Sequence, residues 1–237
     1  MQNTSSNYKN IVSDPSHKYE TKVSINGNEI GGDKIISLRR SVLGIGESKP
    51  TVGGALASSL ELTVLTPYFA IPKMAEIDVF VRAKTASQTS EWIKQGVYFI
   101  DTRAFDETAS GVRTLTVTAY DSMLKAMQDY PDASHDWPYQ DKNVVAEIAS
   151  AIGVAVDSRT NGVLTARYMI DLPIGYTMRE VLQNIAASYG GNFVITADNK
   201  LLFVPLYGLD PDITGKYLAD QNGNAIVFGN EGWCILV

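Results

Sequence analysis

Between Tyr19 and Tyr120 the chain repeats one pattern: short runs of alternating apolar and polar residues, separated by turn residues. "AEIDVFVRAK" sets Ile77, Val79 and Val81 against Asp78, Phe80 and Arg82. "SSLELTVLT" puts Leu60, Leu62 and Val64 on one face. "YETKVSINGNEI" alternates at Val23 and Ile25 and then reaches Asn26-Gly27, a strong hairpin signal. "DKIISLRRSVL", "WIKQGVYFIDTRAFDE" and "TLTVTAYDSMLK" supply three more strands. A period of two buries one face of a sheet and wets the other. The turns between these runs are too short for crossover helices, so neighbouring strands must run mainly antiparallel. The expected architecture over 19–128 is an antiparallel β-barrel or sandwich.

The rest of the chain has a different character. Residues 1–18, "MQNTSSNYKNIVSDPSHK", are polar and aperiodic and are expected to form a flexible arm, one able to order on assembly. Residues 129–139 carry two prolines and read as a linker. Residues 140–207 are expected to form a small α+β domain. "NVVAEIASAIGV" places Val144, Val145, Ile148 and Ile152 on one helical face, with Gly153 as its C-terminal cap. "YTMREVLQNIAASYGG" carries a capping box, Thr177 with Glu180, and an apolar stripe of Met178, Val181, Leu182 and Ile185. "FVITADNKLLFVPL" is a hairpin turning at Asp198-Asn199. Residues 208–237 form a C-terminal extension with one or two strands. The fold class is therefore α+β, mainly β.

Charge and residue counts exclude several functions. The formal net charge is −6, so no global basic field exists to grip nucleic acid. A single cysteine, Cys234, excludes an intrachain disulfide and a cysteine-based zinc site. With no histidine placed for it, Cys234 reads as a small buried hydrophobe. The two histidines, His17 and His135, fall in the arm and the linker, away from any nucleophile motif. "MQNTSSNYKN" lacks a charged segment followed by an apolar core, so no signal peptide is expected. No apolar run approaches the ~20 residues of a membrane span, so no membrane insertion is expected.

Four stretches imitate chemical sites. "LGIGESKPTVGG" has Gly44 and Gly46 but no third glycine in dinucleotide spacing, and Lys49 follows Ser48 rather than glycine. It reads as a mobile loop between strands. "DPDITGKYLADQ" begins like a calcium loop at Asp210, Asp212, Thr214 and Gly215, but its twelfth residue is Gln221 and not Glu. It reads as an Asx-type turn. Asp101, Asp106, Glu107 and Asp121 offer carboxylates for glycosidase chemistry, yet no spacing selects a pair. Trp92, Trp137 and Tyr139 are the aromatics a carbohydrate platform would use. Asp121 ends a strand and precedes "SMLKAM", which suits an N-cap. Met123, Leu124 and Met127 would tuck that turn against the barrel end, with Tyr120 as its lid. No catalytic, cofactor-binding or metal-binding residue is assigned, and no cofactor.

The order of the pieces resembles a known family. Gly96, Tyr98, Ile100 and Asp101 in one strand, then Thr118, Ala119, Tyr120, Asp121, Met123 and Lys125 at the end of the next, resemble the N-terminal barrel of phage tail hub proteins. "GALASSLELTV" and "AEIDVFVR" are similar to the preceding strands. "TMREVLQNIAASYGGNFVITADNKLLFVPL" resembles the helix-hairpin domain inserted in the same hubs. The resemblance covers roughly residues 20–207.

The resemblance implies a tail-tube-like barrel and a structural, non-enzymatic role at the tail tip or baseplate of a phage virion or tail-like particle. It implies a homotrimer forming a ring that continues or closes the tail tube. The expected partners are tail tube, distal adaptor, tape-measure and spike or fibre proteins, with DNA passing through the lumen without specific binding. An acidic chain suits a lumen that must not trap phosphate. Synthesis in the host cytoplasm is expected. Contacts would use exposed strand edges, the loops 43–56 and 84–90, and the arm. Family hubs carry a second barrel after the inserted domain. Residues 208–237 cannot close one, so the chain reads as a shortened hub or one half of a split one. Two other classes remain: a tail-associated wall-degrading enzyme, and a receptor- or carbohydrate-binding β module.

Overall fold

The computed structural model describes residues 4–42, 51–67, 69–107, 111–131 and 136–206, with the backbone of 227–228 and 233–234. Residues 1–206 form one compact unit and 207–237 another.

The first unit opens with helix α1 (Ser6–Ser13), where a flexible arm was expected. Ser5 caps it through Tyr8 N, and Ile11 is 1% exposed. One buried isoleucine and a capped first turn order a segment whose composition alone suggests disorder. Eight strands follow: β1 (Lys18–Ile25), β2 (Asn28–Ile30), β3 (Ile35–Ser41), β4 (Gly54–Leu56), β5 (Ser59–Leu65), β6 (Glu76–Lys84), β7 (Ile93–Glu107) and β8 (Arg113–Tyr120). Seven of them build one sheet in the order β2-β1-β6-β7-β8-β5-β3, with every pairing antiparallel. The β1–β2 turn uses Asn26 at φ 50° and Gly27 at φ 80°, the left-handed pair that a two-residue hairpin needs.

The sheet curls into a half-barrel. Register shifts between Val79 and Phe80 and between Ile100 and Thr102 mark bulges, which bend a sheet. Its core cluster holds Val23, Ile25, Leu60, Leu62, Val64, Ile77, Val79, Tyr98, Ile100, Leu115, Val117 and Ala119. The alternation in the sequence therefore places its apolar set on the core face.

After β8 a 3-10 turn, Ser122–Met127, leads to the second core. Met123 and Ala126 are buried there and not against the half-barrel, and Met127 is 54% exposed. The "linker" aromatics Tyr130, Trp137 and Tyr139 pack on the same core, so both ends of this segment are anchored. The remaining elements of this unit are β9 (Tyr139–Gln140), α2 (Asp141–Ala151), β10 (Ala155–Val156), α3 (Ser158–Asn161), β11 (Met169–Ile170), α4 (Met178–Ser188), β12 (Gly191–Ile195) and β13 (Lys200–Pro205). Both expected helices are present. α4 has its Thr177–Glu180 capping box, and Asn199 turns the β12–β13 hairpin at φ 57°.

One strand crosses between the parts. The segment read as a mobile glycine loop contributes β4, which pairs in parallel with β12 and completes the sheet β10-β13-β12-β4. Buried Asn192 holds it, its Oδ1 accepting from Gly54 N at 2.7 Å and its Nδ2 donating to Thr51 O at 2.6 Å. Residues 43–50 of that segment lie outside the described residues.

In the second unit β14 (Val227–Phe228) pairs antiparallel with β15 (Trp233–Cys234). The Cys234 side chain, His135 and the Asp210–Gln221 stretch lie outside the described residues.

Candidate functional site

Asp121 stands where β8 ends. The β5–β8 ladder has its last backbone pair at Ser59 and Tyr120. One step on, Asp121 N donates to Ser58 O at 3.0 Å. The Asp121 carboxylate then takes the place of a backbone carbonyl: Oδ2 accepts from Ser58 N at 2.7 Å and Oδ1 from Met123 N at 3.0 Å. The side chain is both the cap of the 3-10 turn and the last rung of the sheet. The residue is 3% exposed. Burial pushes its carboxyl up to about 6, against the pull of the two N–H groups.

Asp121 lines a cleft of about 300 Å³ with Arg40, Tyr98, Arg159 and Asp198. Arg40 donates to Gln95 O and, at 3.1 Å, to Gln95 Oε1. Burial pushes the Tyr98 hydroxyl up to about 12, with Arg40 pulling the other way. Arg159 is a fork on Asp157, at 2.8 and 2.9 Å, and those hydrogen bonds hold the Asp157 carboxyl down at about 2. Oxygens of Asp121 that could take a proton from a substrate already accept backbone N–H groups. The arrangement suits fastening better than proton transfer.

The other acids singled out in the sequence lie elsewhere. Asp101, Asp106 and Glu107 are exposed on the distal half of β7, and Glu107 pairs with Arg113 at 2.9 Å. Asp198 joins the cleft instead, because the β12–β13 turn docks on the 3-10 turn through Ser122 Oγ and Asn199 Oδ1 at 2.6 Å. No periodicity announces that approach. Among the described residues no group of three or more His, Cys, Asp or Glu could hold a metal ion. His17 Nδ1 lies 2.6 Å from Asp14 O, and the ring meets Tyr19 edge-on. Trp92 carries Lys22 and Arg82 over its ring at 4.8 and 4.4 Å, and Trp137 is packed edge-on between Tyr130 and Tyr139. The three aromatics do not form one platform.

The expected contact surfaces are rearranged too. Loop 84–90 is partly covered by the N-terminal segment: Ser5 donates to both Glu91 oxygens at 3.0 and 2.8 Å, and Asn7 to Thr89 O at 3.3 Å. Gly54 and Ala55 are buried in the second sheet. Among the described residues some strands have one ladder partner only: β3 pairs with β5 alone, Lys18–Lys22 of β1 with β6 alone, and Asp101–Glu107 of β7 with β8 alone. The β7 edge is met there by the chain before β6, with Ile100 N donating to Ala75 O at 3.1 Å and Arg103 to Ile71 O. A cleft of about 620 Å³ lies between β1 and β3, lined by Tyr19–Lys22 and Ile35–Leu38 among others. Among the described residues no helix is long and apolar enough to cross a membrane.

No protein-family model matches the chain, and no curated protein matches it. Solved structures do. The chain is similar to the 43 kDa tail protein of prophage MuSo2 from Shewanella oneidensis, with a TM-score of 0.57 and 14% identity over 80% of this chain. It is similar to a tail protein from Neisseria meningitidis MC58, with a TM-score of 0.54 and 14% identity over 88%. It is also similar to a chain of the Francisella PdpA–VgrG complex, with a TM-score of 0.50 and 10% identity over 86%. The match covers 56%, 54% and 35% of those chains, so this chain spans about half the length of the two tail proteins or less. The half-barrel with its helix-hairpin part is a fold this chain shares with phage tail proteins.

Proposed function

We propose that the chain is a structural component of a phage tail tip or tail-derived particle, a hub that oligomerises into a ring on the tail tube and carries spike, fibre or adaptor proteins. The observation that carries this reading is the fold shared with two tail proteins, one of them from a prophage, across four-fifths or more of the chain. The edge of β3, which has one ladder partner among the described residues, supports it, because an unpaired edge favours association through backbone hydrogen bonds. The likeness to a chain of a VgrG complex supports contact with a spike-type partner. The use of Asp121 for backbone fastening supports a role without catalysis. The acidic chain suits a lumen that passes DNA without holding it.

The test is assembly. Mass photometry on the purified chain should show trimers that become rings in electron micrographs, and pull-downs should retain tail-tube or adaptor protein. A monomer at every concentration, with no retained tail protein, overturns the proposal.

A further inference from the structure

From β11 to the cap of α4 the chain leaves four large apolar side chains in water within eight residues: Met169 at 57% exposed, Leu172 at 38%, Ile174 at 78% and Tyr176 at 49%. At about 200 Å² for each large side chain, they expose roughly 400 Å². Single exposed apolar residues are ordinary, but a patch of this size marks an interaction surface. The patch borders a groove of about 270 Å³, with Leu172, Pro173 and Tyr176 on one wall and Val181, Asn184 and Ile185 of α4 on the other. Val181 and Ile185 belong to the second core, so the groove reaches down to it.

The backbone of the loop rules out one way of docking. Pro173 has no N–H, and Ile174 N and Tyr176 N donate inside the loop, to Leu172 O at 2.9 Å and Pro173 O at 3.3 Å. A partner strand therefore finds no continuous row of donors here. An amphipathic helix needs none, since it docks by laying its apolar face into a groove. Charge narrows the occupant further. Asp171 lines the groove, and exposed Glu180 and Asp129 flank it through Thr177, which bonds to Glu180 and bridges to Asp129. Arg179 donates to Ala55 O at 2.9 Å. A second copy of this chain would bring the same three acids against these, and an anionic lipid surface would meet them with like charge.

We propose that this groove is the docking site for an amphipathic helix of another protein, one with an apolar face and with lysines or arginines along its flanks. The apolar face covers Leu172, Ile174 and Tyr176, and the basic flanks meet Asp171, Glu180 and Asp129. The site is independent of the ring proposed above, because it lies on the helix-hairpin part and needs no second copy.

Fluorescence anisotropy on the full chain tests it with two labelled model helices, one of leucine and lysine at helical spacing and one with glutamate in place of lysine. The leucine–lysine helix should bind about tenfold tighter than the leucine–glutamate helix. Leu172→Ser with Ile174→Ser should weaken it about tenfold, whereas Ile36→Ser, which removes an exposed apolar residue from β3, should leave it unchanged. Asp171→Lys should weaken it about threefold more than Asp33→Lys, which makes the same charge change at an exposed site elsewhere. All the substituted residues are exposed, so thermal unfolding should stay the same. No binding of either helix, equal binding of both, or an equal loss in Ile36→Ser would overturn the site. Self-association by light scattering that Ile174→Ser abolishes would assign the patch to a second copy and overturn the helix partner. Flotation with phosphatidylserine vesicles that Ile174→Ser abolishes would assign it to a membrane and overturn the helix partner too.

Discussion

Ser58 and Asp121 hold each other twice: Asp121 N donates to Ser58 O at 3.0 Å, and Ser58 N donates to Asp121 Oδ2 at 2.7 Å. The second bond uses a side chain where a sheet would use a carbonyl. It lets the chain leave the ladder and start the 3-10 turn without stranding an amide. The same carboxylate takes Met123 N, and Met123 is buried in the second core. Asp121 therefore fastens the end of the half-barrel to the start of the helix-hairpin part.

Replacing Asp121 with Ala leaves Ser58 N and Met123 N buried without an acceptor. Each such amide costs about 1–3 kcal/mol, and relief of the buried charge offsets part of the loss. The expected net loss is about 2 kcal/mol at neutral pH, measured by urea denaturation. That is more than the ~1 kcal/mol of an exposed helix cap.

The carboxyl of Asp121 sits at about 6 in the folded chain against an ordinary 3.8. A raised carboxyl binds its proton more tightly when folded. Its contribution to stability is complete below pH 3.8 and is lost as pH rises through 6. Asp121→Asn removes that dependence. The stability of wild type relative to Asp121→Asn should fall by on the order of 3 kcal/mol between pH 4 and pH 7. Denaturation midpoints of both proteins across that range give the answer; parallel curves would contradict the burial argument.

Gly53 sits at φ +80°, and a Cβ there would stand 2.8 Å from the Ala187 Cβ on α4. Gly53→Ala adds left-handed strain to a clash with a packed helix, for an expected loss of about 3 kcal/mol. Thermal unfolding of the variant measures it.

Asn192→Ala removes the clamp on β4, both the acceptor of Gly54 N and the donor to Thr51 O. The loss should be about 2–3 kcal/mol. Hydrogen exchange should locate it at the amides of 54–56 and 192–194, since those strands pair with each other.

Ser5→Ala removes the cap of α1 and a hydroxyl bond to Glu91. The cap is worth ~1 kcal/mol, so amides of 6–13 should exchange about fivefold faster. Global stability should barely change, because the helix is anchored by Ile11 at the edge of the unit and lies outside both main cores.

Much of this fold is legible in the chain. Val23, Ile25, Leu60, Leu62, Val64, Ile77 and Val79 alternate in the sequence and all face one core. Thr177 with Glu180, and Asn26 with Gly27, announce a helix start and a hairpin that both form. These signals are local, carried by residues a few positions apart, and their physics needs no partner from elsewhere in the chain. Long-range encounters leave no such mark. Gly54–Leu56 looks like loop until Asn192 supplies two hydrogen bonds from the other part of the unit. Residues 6–13 look disordered until Glu91 and a pocket for Ile11 receive them. Asp121 reads as a cap in any sequence pattern, and it becomes a buried rung with a raised carboxyl because Ser58 is brought beside it and water is excluded. Alternation sets which face of a strand is buried. Which strands keep a single ladder partner among the described residues depends on where β6 stops pairing with β7 and where β3 finds one neighbour, and both are settled by packing across the whole sheet.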